Sequence, residues 1–208
     1  MTRKQIHVMT IGLLLANVMS GLDATIINTA LPAIIADLHG ISCMGLIVSV
    51  FLLGMSVSTL LWSKFGERMG NKKAFELAVV LFIVGSALEG LSPDILFFVC
   101  ARLLMGIGAG GLGSIPYIIF GNVYENLHTR SIILGFVSAV YGAASITGPL
   151  VGGLIVDSFS WHWIFYINVP IGLLIIAIIH FSYKEKIESV DKKVDWLGSF
   201  LLVSGLTC

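Results

Sequence analysis

Charge is scarce in this chain of 208 residues: Asp, Glu, Lys and Arg make up only 12% of it, about half the roughly 25% of an ordinary soluble domain. No sign dominates, because twelve basic and twelve acidic residues cancel to a formal net charge of zero. A soluble globular domain is therefore excluded, and nothing in the composition suggests a nucleic-acid partner. The three cysteines, Cys43, Cys100 and Cys208, lie in or beside apolar runs without CxxC or His/Cys spacing. Neither a disulfide framework nor a metal site is expected, and no cofactor is implied. What is present instead is apolar surface, with 57% hydrophobic residues and a mean hydropathy of +0.98. Seven spans of ~20 residues would use about 140 positions, and such a chain has this composition. The expected class is an all-α polytopic membrane protein whose first partner is the lipid bilayer.

Uncharged runs place helices near 7–33, 43–63, 74–91, 96–119, 131–155 and 163–183, with a seventh starting at about 196. Arg3 and Lys4 before the first run resemble a signal peptide, but no small-residue cleavage site follows, so the run is read as the first span. Lys and Arg then fall on alternate loops. Arg3, Lys4, Lys64, Arg68, Lys72, Lys73, Arg130, Lys184, Lys186, Lys192 and Lys193 share one side. The opposite loops carry His39 and the acids Asp37, Glu89, Asp94 and Asp157. This asymmetry predicts a cytoplasmic N-terminus. The expected organisation is a six-helix bundle over 1–183, a charged cytoplasmic linker over 184–195, and an incomplete seventh helix over 196–208. The last run is too short to span ~30 Å, so a truncated protein is expected.

Two charges lie within the apolar runs. Asp23 sits in Gly21-Leu22-Asp23-Ala24-Thr25-Ile26-Ile27-Asn28, about ten residues from the outer end of the first helix, or ~15 Å deep. Arg102 is about seven residues into the fourth helix, or ~10 Å deep. An intramembrane charge is costly and marks a functional site by default, and at similar depths the two are able to neutralise one another or exchange a proton. Two bland placements stay open: a first helix ending at Leu22 with Asp23 interfacial, and Arg102 snorkelling outward beside Asp94. Asn17, Ser20 and Asn28 share a face near Asp23, which favours a cavity-lining helix.

Glycines mark close packing. Gly106, Gly108 and Gly111 satisfy GxGxxG, but no strand precedes them, so helix packing through small residues is the better reading of them. Ser138, Gly142, Ser145, Pro149 and Gly152 form one stripe along the fifth helix, with Gly148 and Gly152 adding GxxxG. No special contact is expected of Gly12. The loop Ser63-Lys64-Phe65-Gly66-Glu67-Arg68-Met69-Gly70-Asn71-Lys72-Lys73 reads by composition as a short basic turn.

Together these residues resemble the N-terminal half of a major facilitator superfamily transporter, specifically the fourteen-span drug:proton antiporter family. The resemblance is carried by Leu22-Asp23-Ala24-Thr25-Ile26-Ile27-Asn28-Thr29-Ala30-Leu31-Pro32 in the first helix. It is carried also by Gly142, Gly148, Pro149, Gly152 and Gly153 of the antiporter pattern G-x(5)-G-P-x-x-G-G, by Trp161 to Gly172, and by Arg102 with Gly106 and Gly108. Departures are His162 for Arg, Met105 for Gln and, in the loop pattern, Ser63 for Gly, Glu67 for Asp and Asn71 for Arg. Asn122 stands where an acid is common.

The resemblance implies a secondary transporter exporting amphipathic or cationic drugs against proton entry. Asp23 and Arg102 would form the proton-linked pair and Glu67, Arg68, Gly70, Lys72 and Lys73 the cytoplasmic gate. The fifth-helix stripe would be a seam between two bundles, and Asn17, Asn28, Met105 and Tyr141 would line the substrate cavity. The 208-residue chain alone is then expected not to transport, and to need a C-terminal half or a second copy. The alternative is a non-transporting bundle that binds a partner or a separately encoded C-terminal half. An enzyme is disfavoured, because the loops hold no nucleophile or metal constellation and His7, His39, His128, His162 and His180 are scattered.

Overall fold

Uninterrupted apolar sequence with few backbone breakers forces helix, since lipid offers the backbone no other hydrogen-bond partner. The computed structural model, which describes residues 2–185, is helical on this ground. Its helices are α1 (Arg3–Asp37), α2 (Met44–Met69), α3 (Asn71–Gly90), α4 (Ile95–Val123), α5 (Leu127–Ser158), α6 (His162–Tyr166) and α7 (Asn168–Ser182). The expected seventh span at 196–208 and nearly all of the 184–195 linker lie outside the described residues.

Local chemistry sets the ends. Thr2 and Gln5 close a capping box at the start of α1, Asp94 accepts from the Phe97 N–H at 2.8 Å, and Asn126 accepts from the N–H groups of His128 and Thr129 at 2.9 and 3.3 Å. Such caps satisfy donors that a helix start leaves free. Gly70, at φ +93°, is the joint that turns α2 into α3, a conformation that suits a residue without Cβ. The sixth span, read from sequence as one helix over 163–183, is interrupted at Ile167. Pro170 explains the break: its ring has no N–H to offer the Tyr166 carbonyl and crowds it.

Five of these segments (α1, α2, α4, α5 and α6–α7 together) are long and apolar enough to cross a membrane. α3 has bilayer length, 20 residues or ~30 Å, but carries Lys72, Lys73, Glu76 and Glu89 near its ends. It packs lengthwise on α4, as does α2, while α5 lies along α1 and α7 bridges α1 and α3. Among the described residues the architecture is an all-helical bundle of six long helices, α6 and α7 counting as one, five of which qualify as spans.

The core is in two parts. One apolar cluster gathers Met9 to Met19 of α1 with Phe75, Phe82, Phe120 and Ile179; the other gathers Ile26 to Ile35 with Phe98, Trp161 and Phe165. Asp23 falls in the gap between them on α1. Close approach explains the fourth-helix glycines: a Cβ on Gly106 would sit 2.5 Å from the Phe51 carbonyl oxygen and one on Gly108 would collide with the α3 backbone at Phe82. Gly12 is no open position, since its Cβ would meet Ile178 at 2.6 Å. The fifth-helix seam is likewise formed within this bundle. Gly148 faces Leu22 and Thr25, and Gly152 faces Ile26, all of α1, whereas a Cβ at Gly142 meets nothing within 4 Å. The remaining face of α5 is apolar and open, with Ile146, Leu150 and Leu154 about three-quarters exposed or slightly less, at 76%, 69% and 70%.

Candidate functional site

The first helix does not stop at Leu22, so Asp23 is carried inside the bundle, where it is 2% exposed. Arg102, 1% exposed on α4, reaches it with Nη1 at 3.5 Å from Asp23 Oδ2. Both bland placements, the interfacial Asp23 and the snorkelling Arg102, are thereby set aside. The same Nη1 donates to Glu89 Oε2 at 3.1 Å. Glu89, placed by sequence in an outer loop, is in fact the penultimate residue of α3 and fully buried. The helix expected over 74–91 already contains it, but as a charge beyond the apolar run it counts with the outer loops; Arg102 gives that charge a buried partner instead.

Around these three groups the polar set is small and specific. Asn168 at the start of α7 donates through Nδ2 to Asp23 Oδ1 at 3.4 Å and to Ser86 Oγ at 3.0 Å. Ser86 in turn donates to the Phe165 carbonyl at 2.9 Å. Arg102 Cζ lies 4.3 Å from the centre of the Phe51 ring, a cation–π contact strengthened by the absence of water. Its Nη1 also lies 3.5 Å from the Met105 sulfur. Not everything is satisfied: Asp23 Oδ2, Glu89 Oε1 and Arg102 Nε are buried without a hydrogen-bond partner. For Asp23 Oδ2 the 3.5 Å separation makes an ion pair too long to be a good hydrogen bond.

Five elements thus meet here: α1 supplies Asp23, α2 Phe51, α3 Ser86 and Glu89, α4 Arg102 and Met105, and α7 Asn168. Sequence reasoning missed Phe51, Ser86, Glu89 and Asn168. One signal was available, because Ser86 and Glu89 are three apart and share a helical face. Of the residues expected to line a cavity, Asn17 and Met105 are packed inside, Asn17 donating to the Leu13 carbonyl at 2.9 Å, while Asn28 and Tyr141 are exposed. Among the described residues no cluster of three or more His, Cys, Asp or Glu is placed to hold a metal.

At the basic end, Glu67, Arg68 and Lys73 are exposed. The N–H groups of Asn71 and Lys72 donate to the two carboxylate oxygens of Glu185 at 2.6 and 3.1 Å, so the chain beyond α7 caps the start of α3. Lys72 Nζ donates to the His180 carbonyl at 2.5 Å, and His180 Nδ1 lies 3.1 Å from Glu76 Oε1. Burial, and secondarily the Glu185 carboxylate, push the nearby Tyr183 phenol up to about 12.

Comparison with known proteins assigns this helical bundle to a family. The model of the Major Facilitator Superfamily matches residues 13–203; the chain belongs to that family. It is 36% identical over 198 residues to Multidrug resistance protein 3 of Bacillus subtilis (strain 168), covering 95% of this chain and 38% of that protein. Efflux pump dotC of Dothistroma septosporum is 37% identical over 200 residues, covering 94% and 34% respectively. The chain therefore spans little more than a third of the curated relatives it matches. The proton:xylose symporter XylE, solved with 6-bromo-6-deoxy-D-glucose bound, shares the fold at a TM-score of 0.76 and 17% identity, over 86% of this chain and 45% of that one.

Proposed function

We propose that this chain forms the N-terminal bundle of a proton-coupled exporter of amphipathic or cationic small molecules, set in the cell membrane with its N-terminus in the cytoplasm. The observation that carries the reading is the ion pair of Asp23 and Arg102, buried inside the bundle where α1, α2, α3, α4 and α7 meet. A charge at such depth is a functional group by default, and a proton is the smallest cargo able to switch the pair on and off. Relatives named for multidrug resistance and efflux support the export of drugs. In this reading a second bundle, or a second copy, covers the open face of α5, Asn28 and Tyr141 face the substrate, and the bundles rock about a site near the midplane. Gly142 and Pro149, which face away from the tight contact with α1, belong to the moving side of α5, and Gly153, whose Cβ would lie 3.8 Å from Thr29 of α1, stands at the edge of that contact. Glu67, Arg68, Gly70, Lys72 and Lys73 form the cytoplasmic gate.

The test is transport. The chain is expressed in an efflux-deficient host, alone and joined in frame to the C-terminal part of Multidrug resistance protein 3. The joined protein is expected to export a cationic dye in response to a pH gradient, and Asp23→Asn is expected to abolish that export at unchanged membrane abundance. Export that is indifferent to Asp23→Asn overturns the coupling role. Resistance conferred by the chain alone means a homodimeric transporter, and no export from either form favours a bundle that only binds a partner.

Orientation has its own check. With the native cysteines replaced, single cysteines at the exposed positions His39, Asp94 and Ser158 are expected to react with an impermeant thiol reagent added to whole cells, and one at Glu125 only after the membrane is opened. The reverse pattern inverts the topology.

A further inference from the structure

We propose that Glu89 is a second proton-binding carboxyl of the buried site, sharing one proton with Asp23 across Arg102. Charge counting leads there. Asp23, Glu89 and Arg102 are each 2% exposed or less, and with all three ionised the site holds two negative charges against one positive. An uncompensated buried charge is strongly unfavourable, whereas one added proton makes the set neutral. Both carboxylates touch the same guanidinium nitrogen, at 3.1 and 3.5 Å, and each keeps one oxygen without a hydrogen-bond partner. Among the described residues no other carboxyl is buried. The charged or titratable groups facing Glu89 are Asp23 from α1 and Arg102 from α4. α2 brings only the Phe51 ring to the cation, and α6 brings Tyr166, whose hydroxyl donates to the Gly90 carbonyl at 2.6 Å.

Position gives the two carboxyls different tasks. Glu89 is one residue from the end of α3 at Gly90, beside the connection to α4, whereas Asp23 is fourteen residues before the end of α1 at Asp37. Glu89 is thus the carboxyl nearer the α3–α4 connection. In the exchange, the O–H bond of the Glu89 acid breaks and an O–H bond forms on Asp23. The negative charge moves the other way, and Arg102 shifts its stronger pairing from Asp23 to Glu89 with no net change in charge. Asn168, donating to Asp23 Oδ1, holds the ionised form of Asp23 in place while the proton rests on Glu89.

This deepens the coupling role given above to Asp23 and Arg102, yet its test needs no transport. The purified 208-residue chain in lipid nanodiscs is titrated by infrared spectroscopy, reading the C=O stretch of protonated carboxyls, which shifts in D2O. The other acids described are half-buried or exposed, so near neutral pH the wild type is expected to show one protonated carboxyl. Both Glu89→Gln and Asp23→Asn are expected to lose it, because the remaining carboxylate then balances Arg102, while Arg102→Met is expected to double it. Glu89→Asp restores the band. Should Glu89→Gln fail to accumulate, the wild type is treated at pH 7 with dicyclohexylcarbodiimide, which attacks protonated carboxyls in apolar surroundings, and the adduct is mapped by mass spectrometry. An adduct on Glu89 supports the proposal. A full band retained in Glu89→Gln, no band in the wild type, or an adduct on Asp23 alone overturns it. Any of these would leave proton-driven export by Asp23 to be decided by the transport assay.

Discussion

Arg102→Met is expected to be the most damaging single substitution at the site, lowering stability by about 3–5 kcal/mol, the usual cost of removing one partner from a buried ion pair. The side chain removed is nearly isosteric in its stem, so packing against Phe51 largely survives. What is lost is the only cation that, among the described residues, pairs with Asp23 and Glu89, both buried. Unfolding of the chain in detergent, followed by circular dichroism against temperature, reads the effect. The decisive comparison is the triple variant Arg102→Met, Asp23→Asn, Glu89→Gln, which carries no charge at the site and is expected to recover most of the loss. If the triple variant melts no higher than Arg102→Met, the destabilisation comes from packing and not from stranded charge.

Glycine substitutions in α4 are expected to differ in sign according to their neighbours. Gly106→Ala and Gly108→Ala place a methyl against the backbone of α2 and of α3, where a Cβ would lie 2.5 Å from the Phe51 oxygen and 2.8 Å from the Ala78 oxygen. Backbone cannot rotate away as a side chain can. A loss of about 1–3 kcal/mol or more follows from overpacking of this kind. Gly113→Ala in the same helix and Gly135→Ala in α5 meet nothing within 4 Å and should gain up to about 1 kcal/mol, the helix-propensity advantage of alanine. The same detergent melting experiment distinguishes them. Equal responses at all four positions would mean that α4 is not held as closely to α2 and α3 as the geometry requires.

The helices themselves were legible because one force writes them: an apolar run long enough for the bilayer has no alternative to helix. Depth along a helix was legible for the same reason, at 1.5 Å per residue, and it put Asp23 and Arg102 at matching levels before any packing was known. The helix ends were less so. α1 runs to Asp37 and α4 to Val123, past the expected ends at 33 and 119, because caps and neighbouring helices, not hydropathy alone, decide where a helix stops.

Family membership could be read from the sequence through its resemblance to the family's motifs, carried by Leu22 to Pro32, Arg102 with Gly106 and Gly108, Gly142 to Gly153, and Trp161 to Gly172. Which helices those residues join could not. Gly148 and Gly152 pack on α1 of the same bundle, a fact that depends on how α5 is rotated about its axis and which no spacing within α5 encodes. Rotation likewise sent Asn28 outward and Asp23 inward from one polar stripe.

Glu89 marks the boundary most clearly. Taken alone, a glutamate at the end of an apolar run signals water, because an isolated charge is cheapest there. Its burial becomes tolerable only when α3 and α4 lie side by side and bring Arg102, thirteen residues on, to 3.1 Å. The sequence determined the span pattern and two of the three buried charges. The tertiary structure alone decided the third, because the energy of a charge belongs to its neighbours and not to its place in the chain.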